Sequence, residues 1–152
     1  MLITAVLHEA AADNVPSIVA LLAQAGLPTA DLGPAALDDF IVALDGGEVI
    51  GAVGLERHGD HGLLRSLVVA PEWRDQGLGC ALVEAIEARA TAAGLRSLTL
   101  LTQTAAPFFV ARRYTAIDRA QAPTPVQASS EFTTLCPASS NCLTKTLARS
   151  DD

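Results

Sequence analysis

Residues Val68 to Cys80 read V-V-A-P-E-W-R-D-Q-G-L-G-C, a strand end running through a proline into a turn with glycines at 77 and 79. The apolar run Leu67-Val68-Val69 halts at Pro71, which lacks the N–H that a ladder needs, and Ala81 to Ala93 carries apolar residues at helical spacing. The stretch therefore predicts strand, turn and helix in that order. The first turn of such a helix presents N–H groups without intrahelical partners at the positive end of the helix dipole, a setting that suits a pyrophosphate. Gly77 and Gly79 let the backbone approach such a ligand closely. The same pattern also serves as an ordinary strand-to-helix corner. A P-loop would need Lys-Ser/Thr after its last glycine, and a dinucleotide fingerprint would need G-x-G-x-x-G; neither stands here.

Outward from this stretch the chain alternates strand and helix signals. Ile3 to Leu7 reads as a short strand, and Asp13 as the cap of a helix over Val15 to Ala25 that Gly26 stops. Pro34 to Asp38 reads as a short helical turn. Phe40 to Leu44 and Val49 to Glu56 flank Asp45-Gly46-Gly47-Glu48, a hairpin signal, and a second turn over Arg57 to Gly62 leads into Leu63 to Val69. After the helix from Gly79 to Ala93, Gly94 gives way to a strand at Ser97 to Leu101 and a short helix at Ala105 to Arg112. A crossover through a helix makes the strands on either side of it parallel neighbours. Tyr114 to Arg119 reads as a strand, Pro125 to Leu135 as an inserted helix, and Asn141 to Leu147 as a last strand whose free edge is open to pairing with a second copy.

With 152 residues, half of them hydrophobic, the chain has the size and core of a single domain over 1–152, its regular part spanning about 3–148. A net charge of −7 with Lys145 as the one lysine argues against a nucleic-acid surface and suits a neutral or cationic small substrate. No apolar run approaches the length of about 18 that a membrane span needs, and the N-terminus lacks a basic stretch followed by an apolar one. The expectation is a cytoplasmic protein. Three cysteines, Cys80, Cys136 and Cys142, are an odd count that argues against a disulfide framework.

The pattern Arg74-x-x-Gly77-x-Gly79, preceded by V-x-P-x-W and followed by an amphipathic helix, resembles the acyl-coenzyme A signature of the GNAT superfamily of N-acetyltransferases. The resemblance implies an α/β (α+β) fold, a mixed central sheet of about six to seven strands with a V-shaped splay and flanking helices. It implies acetyl-coenzyme A as cosubstrate. Arg74, Asp75, Gln76, Gly77, Leu78, Gly79 and Cys80 would hold its pyrophosphate. Leu67, Val68 and Val69 would pair with the pantetheine arm, and Thr102, Gln103 and Thr104 would lie within reach of it. Those three residues equally serve to end a strand and begin a loop. Dimers are frequent in the family, so a homodimer is in view. The implied activity is transfer of an acetyl group to the amine of a small molecule; the alternatives are a coenzyme A-binding or metalloid-binding module, or an interaction domain, without transferase activity.

Transfer to an amine needs a neutral nucleophile, and so a base or a water chain to remove its proton. The family's usual glutamate and tyrosine align with Leu64 and Phe109, neither of which moves protons. Positioning and an oxyanion contact from an amide near Val69 would then carry more of the catalysis. Glu56, at the end of the neighbouring strand, and Ser66, on the face of Leu64 by two-residue alternation, are the candidate catalytic replacements. His58 and His61 read as residues of a solvated turn, and Arg65, on the opposite face, as the partner of a carboxylate. The run from Phe108 to Leu147, with A-P-F-F, I-D-R-A-x-A-P, S-x-E-F-x-x-L-C-P-A-S and C-L, resembles the arsenic-resistance branch of these transferases. Cys136 and Cys142 are either thiolates for a soft trivalent arsenical or small buried hydrophobes. Cys80 sits where a helix dipole lowers a thiol pKa, or simply packs there.

Overall fold

The structure, a computed structural model, describes residues 5–32 and 38–147. Its strands are β1 (Val6–Glu9), β2 (Phe40–Asp45), β3 (Glu48–His58), β4 (His61–Val69), β5 (Ser97–Thr102), β6 (Thr115–Ile117) and β7 (Asn141–Thr146). They form one seven-stranded sheet in the order β1-β2-β3-β4-β5-β7-β6. β4 and β5 run parallel, as the helical crossover requires, whereas β1-β2, β2-β3, β5-β7 and β6-β7 are antiparallel. The helices are α1 (Val15–Gln24), α2 (Leu78–Ala92), α3 (Ala106–Val110) and α4 (Thr124–Gln127), with a π-type turn at Glu131–Leu135. This is the mixed α/β architecture expected.

The chain divides into two compact units, Met1–Leu55 with Ser66–Ala88, and Glu56–Arg65 with Arg89–Asp152. In the first, Ile18 and Leu22 of α1, Phe40 and Val42 of β2, Val49 and Ala52 of β3 and Val68 of β4 bury one apolar cluster. The β2-β3 hairpin turns at Gly46 and Gly47, whose φ values of 57° and 87° are the left-handed pair that a tight turn between twisted strands needs. Two expectations shift here. The first strand runs to Glu9 rather than ending at Leu7, and Asp13 does not cap α1. Asp13 lies inside a 3-10 turn, Ala12–Asn14, that leads directly into the helix, and Asn14 spends its Oδ1 on the amide of Ala11 at 2.7 Å. The expected turn at Pro34 to Asp38 lies, but for Asp38, outside the described residues.

In the second unit β5 pairs with β7 along its whole length, Ser97↔Thr146 to Thr102↔Asn141, but with β4 only from His61↔Ser97 to Leu63↔Thr99. The last strand is no edge: β7 lies between β5 and β6, so the sheet ends at β1 and β6. The expected continuous helix over Pro125 to Leu135 is also broken, into α4 and the π-type turn. The cause is local competition, because Ser129 accepts the Phe132 amide through Oγ at 3.4 Å and Thr133 donates its hydroxyl to the Ser129 carbonyl at 3.0 Å. β6 stops at Ile117. Arg119, expected at its end, instead joins a 3-10 turn and donates to the carbonyls of Pro137 and Phe132, each at 2.8 Å, tying the inserted segment together.

Candidate functional site

The turn between β4 and α2 builds the cradle that the sequence predicts. Pro71–Trp73 forms a 3-10 turn, Arg74 is extended, and Asp75 and Gly77 are left-handed at φ 63° and 87°. The first intrahelical bond of α2 is Ala81 N–H to Gly77 O at 3.1 Å, so the amides of Leu78, Gly79 and Cys80 lie ahead of the helix's own ladder. Fifteen residues of helix stand behind them, and Leu78, Leu82, Val83 and Ile86 bury the side that anchors it. Arg74 donates through Nε to the Val69 carbonyl at 3.1 Å, which ties its exposed guanidinium to the strand end feeding the turn. Gln76 donates to the Glu72 carbonyl at 3.2 Å, while its Oε1 is buried without a partner among the described residues. The start of α2 and the exposed guanidinium fit an anionic group.

β4 brings a correction. Ser66 is left-handed at φ 60°, which interrupts the two-residue alternation on which its placement beside Leu64 rested. Leu64 and Phe109 are both buried, 2% and 4% exposed, and Phe109 stacks edge-on against Phe108 and Tyr114, so the two positions aligned with proton-transfer groups are filled by hydrocarbon. Thr102, expected at the pantetheine arm, accepts the Ala105 amide through Oγ1 at 3.0 Å in the turn that leads into α3; Thr104 is exposed.

Glu56 and Arg65 form a pair, as Arg65 was expected to find a carboxylate. Arg65 Nη1 donates to Glu56 Oε2 at 2.6 Å, and its Nε lies 3.4 Å from Glu131 Oε2. His58 Nε2 meets the other oxygen of Glu56 at 2.9 Å, and His61 Nδ1 meets Ser97 Oγ at 2.8 Å, so each histidine has a side-chain partner rather than only solvent. Glu131 was not foreseen. It is 3% exposed, and its link to Arg65 joins residues far apart in sequence, which spacing does not signal.

None of the three cysteines is in a disulfide, and no group of three or more His, Cys, Asp or Glu among the described residues is placed to hold a metal ion. Burial, reinforced by the negative charge of Glu131, pushes the Cys136 thiol up to about 11, and burial raises Cys142 as well. Both thiols therefore favour the neutral form. A raised folded-state pKa gives stability that is full below about 9 and lost as pH rises through about 11, so Cys136 contributes to alkaline unfolding. At pH 7.5 its thiolate fraction is about a hundredfold below that of an ordinary thiol. Iodoacetamide labelling of Cys136, followed by peptide mass, is expected to run at least about tenfold slower than labelling of glutathione and to accelerate from pH 8 to 10; labelling as fast as glutathione at pH 7.5 contradicts the assignment.

The strand order, the parallel β4-β5 pair and the glycine turn ahead of α2 define an α/β domain of the acetyltransferase kind. Residues 36–113, just over half of the chain, match the acetyltransferase (GNAT) domain family, and the chain belongs to that family. N-acetylglutamate synthase from Neisseria gonorrhoeae, in complex with coenzyme A and N-acetyl-glutamate, superposes with a TM-score of 0.84 at 20% identity, over 98% of this chain and 36% of that one. The chain thus spans about a third of that enzyme's length. Rv2747 from Mycobacterium tuberculosis, in complex with coenzyme A, gives 0.79 at 21% identity over 94% of this chain and 99% of that one. The PaiA N-acetyltransferase from Thermoplasma acidophilum, also with coenzyme A, gives 0.65 at 12% over 95% and 99%. At these identities the likeness is one of fold. A comparison with curated proteins finds no match. Among the described residues no helix is long and apolar enough to cross a membrane.

Proposed function

We propose that the protein is an N-acetyltransferase that uses acetyl-coenzyme A to acetylate the amino group of a small, amino-acid-like molecule. The observation that carries this is the left-handed Gly77 at the start of α2, which leaves the amides of Leu78, Gly79 and Cys80 ahead of the helix ladder in the turn that follows Arg74. A diphosphate held there is met by N–H donors, by the positive end of the dipole and by a guanidinium. The cosubstrate would supply an activated thioester; the chain supplies position, with Leu67, Val68 and Val69 offering backbone groups to the arm. Family membership supports the reaction class, and a neighbour solved with N-acetyl-glutamate supports an amino-acid-like acceptor.

Proton removal is assigned to Glu56, with His58 at 2.9 Å as its relay. The motifs of the tail make amino-acid organoarsenicals part of the acceptor class, in a cytoplasmic arsenic-resistance setting, and the protein is taken to work without nucleic acid or membrane, as a monomer or a homodimer. The test is calorimetry with coenzyme A, followed by release of free thiol from acetyl-coenzyme A across a panel of amino acids and organoarsenical amines. Binding with turnover on one class of amine is the expected result; no turnover on any of them removes the transferase assignment. Buried Leu64 and Phe109 favour one second reading, a coenzyme A-binding module without transfer, in which binding persists and thiol release is absent. The raised thiol pKa values of Cys136 and Cys142 weigh against a metalloid-binding module.

A further inference from the structure

Between Arg74 and Cys80 the chain places two charged side chains, Arg74 and Asp75, and they have opposite sign. Asp75 is exposed and left-handed at φ 63°, in the segment that delivers the backbone to Gly77. Aspartate tolerates that conformation better than most residues, though glycine meets it at no steric cost. An acid is therefore held in a turn whose amides and helix dipole attract an anion. Arg74 is tethered to the Val69 carbonyl, so the charge it brings is held near the strand end.

We propose that Asp75 sets how weakly the cradle holds the coenzyme A diphosphate, its carboxylate opposing the anion that the neighbouring amides and Arg74 attract. This rests on the coenzyme A reading above. The consequence is faster release of the spent cofactor, since a like charge beside the diphosphate raises the off-rate while leaving the amide donors in place.

Asp75→Asn isolates the charge, because asparagine accepts left-handed backbone as aspartate does. Calorimetry at low salt is expected to show coenzyme A binding about threefold tighter than to the unaltered protein, with the gain shrinking at about 0.5 M salt, as an exposed charge requires. 3′-Dephospho-coenzyme A, which keeps the diphosphate, is expected to show the same gain; a gain seen only with the 3′-phosphate present overturns the assignment. Asp75→Gly is expected to match the asparagine variant in binding and to melt higher, through relief at the left-handed position. If the unaltered protein binds no coenzyme A, the underlying reading falls. If it binds and Asp75→Asn is equal or weaker, the role of Asp75 alone falls.

Discussion

Gly77→Glu is expected to raise the coenzyme A dissociation constant at least about a hundredfold, to the limit of calorimetric detection. Two effects add. A side chain at φ 87° costs about 1–2 kcal/mol through crowding of Cβ against the following carbonyl, so the turn opens or distorts just ahead of the amides of Leu78 and Gly79. The new carboxylate then stands at the positive end of α2, where it competes with the diphosphate for the same donors. Gly77→Ala separates the two: it carries the crowding without the charge and is expected to weaken binding about tenfold. Raised salt is expected to recover part of the difference between the two variants, because only the charge is screened. A thermal melt checks that both remain folded. Affinity unaltered in Gly77→Glu would move the anion site away from α2 altogether.

The cradle was legible because its determinants are local. Pro71 ends a ladder wherever it stands, a glycine at 77 is what a left-handed turn into a helix asks for, and Asp45-Gly46-Gly47 announces its hairpin within four residues. What was illegible depends on neighbours. Nothing in Asn141 to Leu147 says which strands flank it, and its partners, β5 and β6, lie across the inserted segment, so an edge strand on paper becomes an inner one in the sheet. Ser66 carries no side-chain signal for left-handed backbone, yet this residue decides where two-residue alternation on β4 stops. The helix expected over Pro125 to Leu135 failed because serine and threonine hydroxyls compete for backbone groups, an effect that helical periodicity ignores. The carboxylate partner of Arg65 was foreseen in kind, but Glu131 as one such partner was not, since only the fold brings β4 to the π-type turn.

That pairing yields the largest stability effect. Arg65 is 3% exposed and serves two carboxylates: Glu131, equally buried, and Glu56, whose side chain is 25% exposed. Arg65→Met keeps the hydrocarbon volume and removes the cation. Glu56 can then turn to water and to His58, so its share of the loss is small. Glu131, 3% exposed, cannot turn to water in the same way when its Arg65 pairing is lost. The expected cost is about 3–5 kcal/mol, the range for breaking a buried pair, and a fall in melting temperature of roughly 10 °C for a chain of this size. The asymmetry makes the argument testable. Adding Glu131→Gln to Arg65→Met is expected to restore about 2 kcal/mol by removing a buried charge that has lost its Arg65 cation, whereas adding Glu56→Gln restores under about 1 kcal/mol. Glu131→Gln alone is expected to be mild, because Arg65 still keeps Glu56 at 2.6 Å. Equal rescue by the two glutamines would mean that both carboxylates are solvated alike, and a melt within about 2 °C of the unaltered protein for Arg65→Met would mean that the pair contributes no net stability.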